Sequence, residues 1–501
     1  MFANLFESSI VLSIRYYSTQ AYDVAIEFLR QIERLGFGFT QEFIRDPKVM
    51  IQTLTAAARS NKAGYSVVSL GYLGGNYAVI TPKSHTQLIE LLNQFDQEKL
   101  SRRGHASFKF FSGNDFFIIS ETGHTAMVAR KNLSRFLTPS RFINSIVTEI
   151  EKSVERNTDI QVRHTVCGII RTAMVESLLG INKLPTNTYQ VMESYRNDVK
   201  RWGAFPFPEL LNLMPSLRQK KEVYRAFSKG ILEQEFEKLV KVLHTENDPV
   251  NANLIAASVI SLFKEEHPTL SDKDLLSALR SLSIATIRRY FENPIVQSIP
   301  MILKAADNLT DAIVLCLVQI ASDPDKMKML QDEINSNNQI LKEDVSISTL
   351  KSLPLLDAFY KESMRFDAPI AIPRYTERGY LSDSMTIPSN TMVIFDLEAL
   401  AKGKEYWVNP EKFDPIRFLQ PKQQLDTEGS GDYKSHTLGK FPFVPFSVGQ
   451  RNCPAFAVTE ILFKLTIAKF VSTYELQFVE KNDDDSILHI TTRESSFSLT
   501  K

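Results

Sequence analysis

Apolar and polar positions alternate between residues 64 and 83. Residues 65–70 read YSVVSL and residues 77–81 read YAVIT, with Gly74-Gly75 between them. A period of two is typical of a β-strand with one buried face, and a glycine pair favours a turn. The pattern therefore predicts a β-hairpin, the first clear sheet in the chain.

From about residue 120 to residue 350 the apolar positions recur at helical spacing instead, as in the long amphipathic run at 227–243. After about residue 370 the period shortens again. A turn signal at 387–390, IPSN, precedes the apolar run TMVIF at 391–395. A strongly apolar segment after Cys453 predicts a final helix. The expected fold class is mainly α with small β-sheets.

Composition places the chain among folded globular proteins, since 43% of its 501 residues are hydrophobic and 23% are charged. Lys plus Arg and Asp plus Glu number 58 each, so the formal net charge is zero. A neutral chain has no long-range field to attract nucleic acid or an anionic membrane. A small, neutral partner molecule is expected.

The three cysteines, Cys167, Cys316 and Cys453, lie far apart and form no CxxC or Cys/His pattern. The spacing favours neither a disulfide framework nor a zinc site. A sparse cysteine content suits a reducing compartment, so a cytoplasmic location is expected.

The first twenty residues contain an apolar run at 10–14 that is too short to span a bilayer, so no transmembrane anchor is expected. The sequence RYYS at 15–18 resembles a mitochondrial cleavage site, which leaves a mitochondrial location as the weaker alternative.

The most informative segment is FPFVPFSVGQRNCPAF at 441–456, where Cys453 lies between a Phe/Pro/Gly-rich loop and an apolar helix. Unpaired N–H groups and partial positive charge at a helix N-terminus lower the pKa of a thiol and favour a thiolate that can bind iron. Gly449 would let the backbone approach a flat ring, and Arg451 would offer a cation to a haem propionate. The alternative is a cysteine that only packs.

This segment resembles the haem-binding signature of the cytochrome P450 family, Phe-x-x-Gly-x-Arg-x-Cys-x-Gly. Residues 446–455 read FSVGQRNCPA, so only the last position differs. KESMR at 361–365 is similar to the family's Glu-x-x-Arg, and NPEKFDPIRF at 409–418 to its Pro-Glu-x-Phe-x-Pro-x-Arg-Phe. The resemblance implies that Glu362, Arg365 and Arg417 form a buried structural network.

The resemblance implies a cytochrome P450 fold, a single haem-centred helical domain with a smaller β-rich N-terminal lobe. Residues 1–59 would form an N-terminal segment with the first helices, 60–480 the haem domain and 481–501 a C-terminal β-strand segment of the same domain. The implied cofactor is haem b (iron protoporphyrin IX) with the Cys453 thiolate as axial ligand.

Several residues are implied to bind this cofactor. Phe446, Gly449 and Arg451 belong to the signature, and Arg374 stands where the family commonly places a propionate-binding arginine. Arg130 and Arg135 are further candidates, although the Trp of the family's Trp-x-x-x-Arg pattern is missing and both could be ordinary surface cations.

The family's long helix over the haem falls at about 299–321, where Asp307 retains the usual acid and Asn308 replaces the usual threonine. The resemblance implies that the threonine hydroxyl helps deliver protons to dioxygen, and asparagine transfers a proton less readily. Asp307 and Asn308 are the candidate catalytic residues. Alternatively, Asp307 pairs with Lys304, or Asp311 with a cation elsewhere. Pro294 and Pro300 predict a kink or an insertion before this helix.

The implied function is a monooxygenase, acting as a monomer, that oxidises a small apolar substrate with dioxygen. Electrons would come from an external NAD(P)H-dependent reductase or ferredoxin, since the chain has neither a Gly-rich dinucleotide fingerprint nor clustered cysteines. One alternative is a peroxide-dependent hydroxylase or a lipid-peroxide isomerase or dehydratase. A second alternative is a non-catalytic haem-binding sensor.

Overall fold

The computed structural model describes residues 47–69, 76–96, 124–154, 158–181, 184–202, 211–212, 214–245, 253–293, 296, 302–336, 347–366, 371–404, 406–419, 445–447, 452–481 and 486–492. Helices dominate these residues and strands form three small sheets. The prediction of a mainly α fold with small β-sheets is confirmed. In the part described, no helix is long and apolar enough to cross a membrane.

The helices of the first half are α1 Pro47–Ser60, α2 His85–Asp96, α3 His124–Phe136, α4 Ile143–Ser153, α5 Val162–Leu179, α6 Thr188–Trp202 and α7 Pro215–Thr245. The second half contributes α8 Leu254–Glu266, α9 Asp272–Arg280, α10 Ile284–Phe291, α11 Ile302–Ala321, α12 Pro324–Asn335, α13 Ile347–Lys351, α14 Pro354–Phe366, α15 Glu398–Lys402 and α16 Phe456–Thr473. Short 3-10 helices cover Pro139–Arg141 and Pro415–Phe418.

The strands are β1 Tyr65–Ser69, β2 Asn76–Ile80, β3 Thr158–Gln161, β4 Ala371–Thr376, β5 Tyr380–Ser382, β6 Met385–Ile387, β7 Thr391–Asp396, β8 Tyr474–Lys481 and β9 Ser486–Thr492. They form sheets of order β1-β2-β7-β4, β3-β9-β8 and β5-β6. In the first sheet β1 and β2 are antiparallel, which confirms the predicted hairpin, whereas β2 and β7 are parallel. The β-rich lobe therefore combines an early hairpin with strands from the last third of the chain.

Two hydrophobic cores organise the described residues. The smaller one joins the first sheet to α2, with Leu88, Leu92 and Phe395 fully buried. The larger one is helical and includes α5, α11, α14 and α16. In α16 the buried positions lie on all sides of the helix, because its sequence is apolar almost throughout. This helix starts three residues after Cys453 and anchors the cysteine loop in the core.

The other expected elements are placed as follows. The amphipathic run at 227–243 lies within α7, the run at 391–395 forms β7, and the predicted final helix is α16. Asn390, in the predicted turn, adopts a positive φ of 54°. The helix expected at about 299–321 begins at Ile302. Pro294 and Pro300 lie outside the described residues, so the kink or insertion before this helix stays a prediction.

The division into segments 1–59, 60–480 and 481–501 stays a prediction, because residues 1–46 and 493–501 lie outside the described part. Within that part, β9 pairs with both β3 and β8. Its Leu488 and Ile490 are buried in the larger core, so this late strand packs with the helical unit.

Candidate haem site

The loop that carries Cys453 is fixed on the core by its backbone and by Phe446. The Cys453 amide donates to the Phe446 carbonyl at 2.8 Å, and the half-buried Phe446 ring packs against the larger core. Ser447 adopts a positive φ of 58°, which turns the chain sharply after Phe446. These contacts hold the partly buried Cys453 side chain close to the N-terminus of α16.

Two groups around the Cys453 sulfur favour its charged form. The backbone N–H of Ala455 donates towards the thiol, and the Arg130 guanidinium lies within electrostatic range. Burial nevertheless outweighs both groups and raises the pKa of the Cys453 thiol above its ordinary value. The N–H group thus acts on the thiol pKa in the expected direction, but burial has the larger effect. Loss of the thiol proton would have to accompany metal binding, since a coordinating thiol is deprotonated by the metal itself.

Arg130 reaches this loop from α3. Its Nη2 atom donates to the carbonyl oxygen of Asn452, the residue before Cys453. Arg135, the other candidate on the same helix, is exposed and lies within electrostatic range of Asp272 instead. The geometry thus distinguishes the two arginines and places Arg130 beside the cysteine.

Arg374 lies on β4 and is only 5% exposed, with its Nη1 atom donating to the Pro373 carbonyl at 3.0 Å. A buried guanidinium is stabilised by an anion, and a haem propionate is one. Gly449 and Arg451 lie outside the described residues, so their expected contacts with the cofactor stay predictions.

The residues present fit a haem. A sulfur ligand sits on a loop fixed by a backbone hydrogen bond, an N–H group points at the sulfur, and one cation adjoins the loop. Cys453 would hold the iron, while Arg130 and Arg374 would pair with the propionates. Imidazole or carboxylate sites for other metals are not evident, since the described residues contain no group of three or more His, Cys, Asp and Glu side chains able to hold a metal ion.

Asp307 faces α5, where it forms a buried ion pair with Arg171. The Arg171 Nη2 atom lies 2.5 Å from Asp307 Oδ1, and the two side chains are 2% and 5% exposed. The Cys167 sulfur lies 3.9 Å from the same oxygen. Lys304, the partner considered from the sequence, has a side chain outside the described part. Arg171 was not foreseen, although Arg163 and Arg171 lie two turns apart among the otherwise apolar buried positions of α5, a pattern that indicates buried partners.

Asp311, one turn further along α11, pairs with two arginines. Arg163 of α5 contacts its Oδ1 atom and Arg196 of α6 contacts its Oδ2 atom at 2.7 Å. These are the cations that the sequence left unidentified. Asn308 lies between the two acids in sequence and is exposed. The acids are thus held by α5 and α6, while the amide of Asn308 is accessible.

The predicted network around Glu362 is confirmed. Arg365 binds the carboxylate with two hydrogen bonds of 2.8 Å, and both side chains are fully buried. Arg417 lies 3.3 Å from Oε1, which also accepts from the Asp414 amide at 2.7 Å. Arg365 further donates to the Ala401 carbonyl at 2.9 Å. The Glu362 carboxylate therefore ties α14 to the 3-10 helix at 415–418, and Arg365 ties α14 to α15.

Comparisons with known proteins match a single family. The cytochrome P450 family model matches residues 72–500. A ferruginol synthase of Salvia miltiorrhiza is 30% identical over 186 residues, which are 36% of this chain and 34% of that protein. A psoralen synthase of Ammi majus is 27% identical over 246 residues, 47% of each protein. The chain thus matches between a third and a half of the length of these curated relatives.

Among solved structures, a zebra fish cytochrome P450 in a structure with abiraterone aligns with a TM-score of 0.64. The alignment covers 88% of this chain and 99% of that one, at 15% sequence identity. At this identity the likeness shows the fold alone.

Proposed function

The chain belongs to the cytochrome P450 family, and from this premise we propose that it is a haem-thiolate monooxygenase that oxidises a small apolar organic substrate. The proposal includes dioxygen as oxidant and electrons from an external NAD(P)H-dependent reductase or ferredoxin. The observation that carries it is the cysteine loop, in which Cys453 is fixed at the start of α16 beside Arg130.

When bound, the haem would supply the oxidising chemistry, which electron donation from a thiolate ligand favours. The residues of the chain hold and orient it. Cys453 provides the sulfur, and the Ala455 N–H moderates the charge on that sulfur. Arg130 and Arg374 are proposed to bind the propionates, and Phe446 to hold the loop against the larger core.

The exposed amide of Asn308 is proposed to donate a hydrogen bond to the oxidant or the substrate. Asp307 is proposed to hold or exchange a proton at Oδ2, the oxygen that Arg171 does not bind. Asn308 would orient its partner but would not itself relay a proton, because an amide is a poor acid and a poor base.

That same pair of residues favours a second candidate, a haem-thiolate enzyme driven by peroxide. Peroxide already carries the electrons and protons that dioxygen lacks, so a peroxide-dependent hydroxylase or a lipid-peroxide isomerase or dehydratase needs less proton delivery. Asn308 in place of threonine, with Asp307 held by Arg171, suits such chemistry. A non-catalytic haem sensor is the remaining alternative.

Turnover assays separate the three. The purified, haem-loaded chain is given a panel of apolar substrates with either NAD(P)H and redox partner proteins or hydrogen peroxide alone. Product that requires NAD(P)H and partner supports the monooxygenase, and product with peroxide alone supports the second candidate. Haem binding without product under either condition would contradict both enzymatic proposals. The expected cytoplasmic location and monomeric state stay predictions.

A further inference from the structure

Tyr360 of α14 buries a phenol hydroxyl that has no hydrogen-bond partner among the described residues. The residue is 1% exposed, and its ring packs edge to face against Phe463 of α16, with 5.3 Å between the ring centroids. Native proteins give nearly all buried polar groups a partner, because such groups lose their hydration on folding. Phenylalanine would fill the same space without the buried oxygen, so the hydroxyl itself needs an explanation.

A buried lysine lies over the same ring. The Nζ atom of Lys464 is 5.7 Å from the ring centroid of Tyr360, and the Lys464 side chain is 1% exposed. Nζ contacts Asp357 Oδ1 at 2.7 Å and Glu460 Oε1 at 2.8 Å. Asp357 also pairs with Lys361 through Oδ2 at 2.7 Å. Both carboxylates near the phenol are thus already paired with lysines.

The third negative group that acts on the Tyr360 hydroxyl is Cys453 in its ionised form. Tyr360 packs on the third turn of α16, through Phe463 and Lys464, and Cys453 lies three residues before that helix begins. Burial and the negative charges of Glu460, Asp357 and Cys453 raise the pKa of the Tyr360 phenol well above its usual value. The phenol therefore keeps its proton and is a permanent O–H dipole within electrostatic range of the sulfur.

Of these three negative groups, the sulfur is the least compensated. Burial raises the pKa of the Cys453 thiol, although the Ala455 N–H and the Arg130 guanidinium oppose the rise. The two carboxylates, in contrast, each have a lysine in direct contact. A hydroxyl dipole that has no hydrogen bond of its own orients in the surrounding field. Its positive end is expected to turn towards the charge that is least compensated, which is the thiolate.

We propose that Tyr360 is a positioning residue for the haem-thiolate unit, whose buried hydroxyl orients towards the Cys453 thiolate and stabilises the negative charge there. The effect acts through space, in buried surroundings that screen it little. It rests on haem ligation by Cys453, which belongs to the proposed function. Reduction of the iron adds an electron to the iron-thiolate unit, so the hydroxyl stabilises the reduced form more than the oxidised form and raises the reduction potential.

The reduction potential of the haem-loaded chain tests this role. Tyr360→Phe removes only the oxygen, and because that oxygen has no described partner, no buried group is left unpaired and the variant is expected to fold. At a fixed applied potential, its ratio of ferric to ferrous haem is expected to exceed that of the wild type by about 3-fold or more, a shift of about 28 mV to more negative potential for a one-electron couple.

Thr466→Val is the matched control. It also removes a fully buried hydroxyl without a described partner, from a position about 15 Å along α16 from the first residue of that helix. Its ratio of ferric to ferrous haem is expected to equal that of the wild type. Equal shifts in the two variants would overturn the inference, because they would reflect the loss of any buried hydroxyl.

The absorption spectrum of the reduced carbon monoxide complex separates the two ways in which the inference can fail. A wild type without the band of a thiolate-iron carbonyl overturns both the proposed function and this role of Tyr360. If the wild type shows the band but the ratio in Tyr360→Phe rises by less than about 3-fold, or falls, the role of Tyr360 alone is overturned.

Discussion

The guanidinium of Arg130 donates to the carbonyl oxygen of Asn452, so a helix near residue 130 and the loop before Cys453 are joined across 322 positions of sequence. This contact places a positive charge beside the sulfur, where it partly opposes the effect of burial on the pKa of the Cys453 thiol. Arg130 thus supports the loop, and it is also proposed to bind a haem propionate.

Replacing Arg130 with glutamine is expected to weaken haem retention. The amide can still donate to Asn452, but the positive charge beside the thiolate is lost. Outer-shell changes of this kind typically cost about 10–100-fold in metal affinity. The rate of haem transfer to excess apomyoglobin measures the effect. Arg135→Gln, an exposed change on the same helix, is the control, and equal transfer rates in the two variants would contradict the assignment.

Replacing Glu362 with glutamine should destabilise the chain strongly. The fully buried Arg365 and the partly exposed Arg417 would both lose a charged partner, which costs about 3–5 kcal/mol in comparable buried cases. The midpoint of urea unfolding, monitored by tryptophan fluorescence, measures the change in stability. Glu411→Gln removes an exposed carboxylate from the adjoining segment and should change the midpoint little. Similar midpoints for the two variants would show that the network does not stabilise the fold.

The carboxylate of Glu333 introduces a pH dependence into the packing of α12 against α14. It accepts from the amides of Leu355 and Leu356, at 2.6 and 2.8 Å. Burial raises the pKa of the Glu333 carboxyl, although the two N–H groups oppose the rise. The folded chain therefore holds this proton more tightly than the unfolded chain. The contribution of this proton to the free energy of unfolding is fully present below the ordinary carboxyl pKa of about 4.3. It is lost as pH rises through the pKa of Glu333 in the folded chain.

A Glu333→Gln variant stays neutral at every pH and so lacks this dependence. The Tm of the wild type minus that of the variant is expected to fall as pH is raised from about 4.3 towards neutrality, and then to level off. Asp332→Asn, an exposed change in the neighbouring position, controls for the loss of a carboxylate from α12. A difference that stays constant, or that grows with pH, would contradict the assignment.

Replacing Asn308 with threonine should improve the use of dioxygen if the proposed monooxygenase activity holds. A hydroxyl relays protons more readily than an amide, so a larger share of the NAD(P)H consumed should appear as oxidised product, by about 2-fold or more. Asn308→Val has nearly the shape of threonine without the hydroxyl and is the control. If the two variants give the same yield of product per NAD(P)H, the prediction is wrong, because a hydroxyl at position 308 would then make no difference to proton delivery.

The sequence was most predictive where chemistry is local. The hairpin of β1 and β2, the helix after Cys453 and the meeting of Glu362 with Arg365 follow from short-range patterns, since each depends on residues close together in the chain. The sequence could not show that β2 pairs in parallel with β7, more than 300 residues away, or that Arg171 meets Asp307 across 136 positions. Those contacts depend on how whole elements pack, which periodicity does not encode.

The pKa of Cys453 shows a different limit. A helix N-terminus is visible in the sequence and predicts a lower pKa for the thiol, but the degree of burial is a property of the folded loop. The two effects oppose each other, and burial is the larger. The sequence therefore predicts the effect of the helix N-terminus on the thiol, but not the larger, opposing effect of burial.

The central claim is that Cys453 binds haem iron as a thiolate, and the absorption spectrum of the dithionite-reduced protein with carbon monoxide tests it most directly. The wild type and a Cys316→Ala control, which alters a buried cysteine of α11, are expected to show the strongly red-shifted Soret band of a thiolate-iron carbonyl, and Cys453→Ala to lack it. A red-shifted band that survives in Cys453→Ala, or a wild type that binds no haem, would contradict the account.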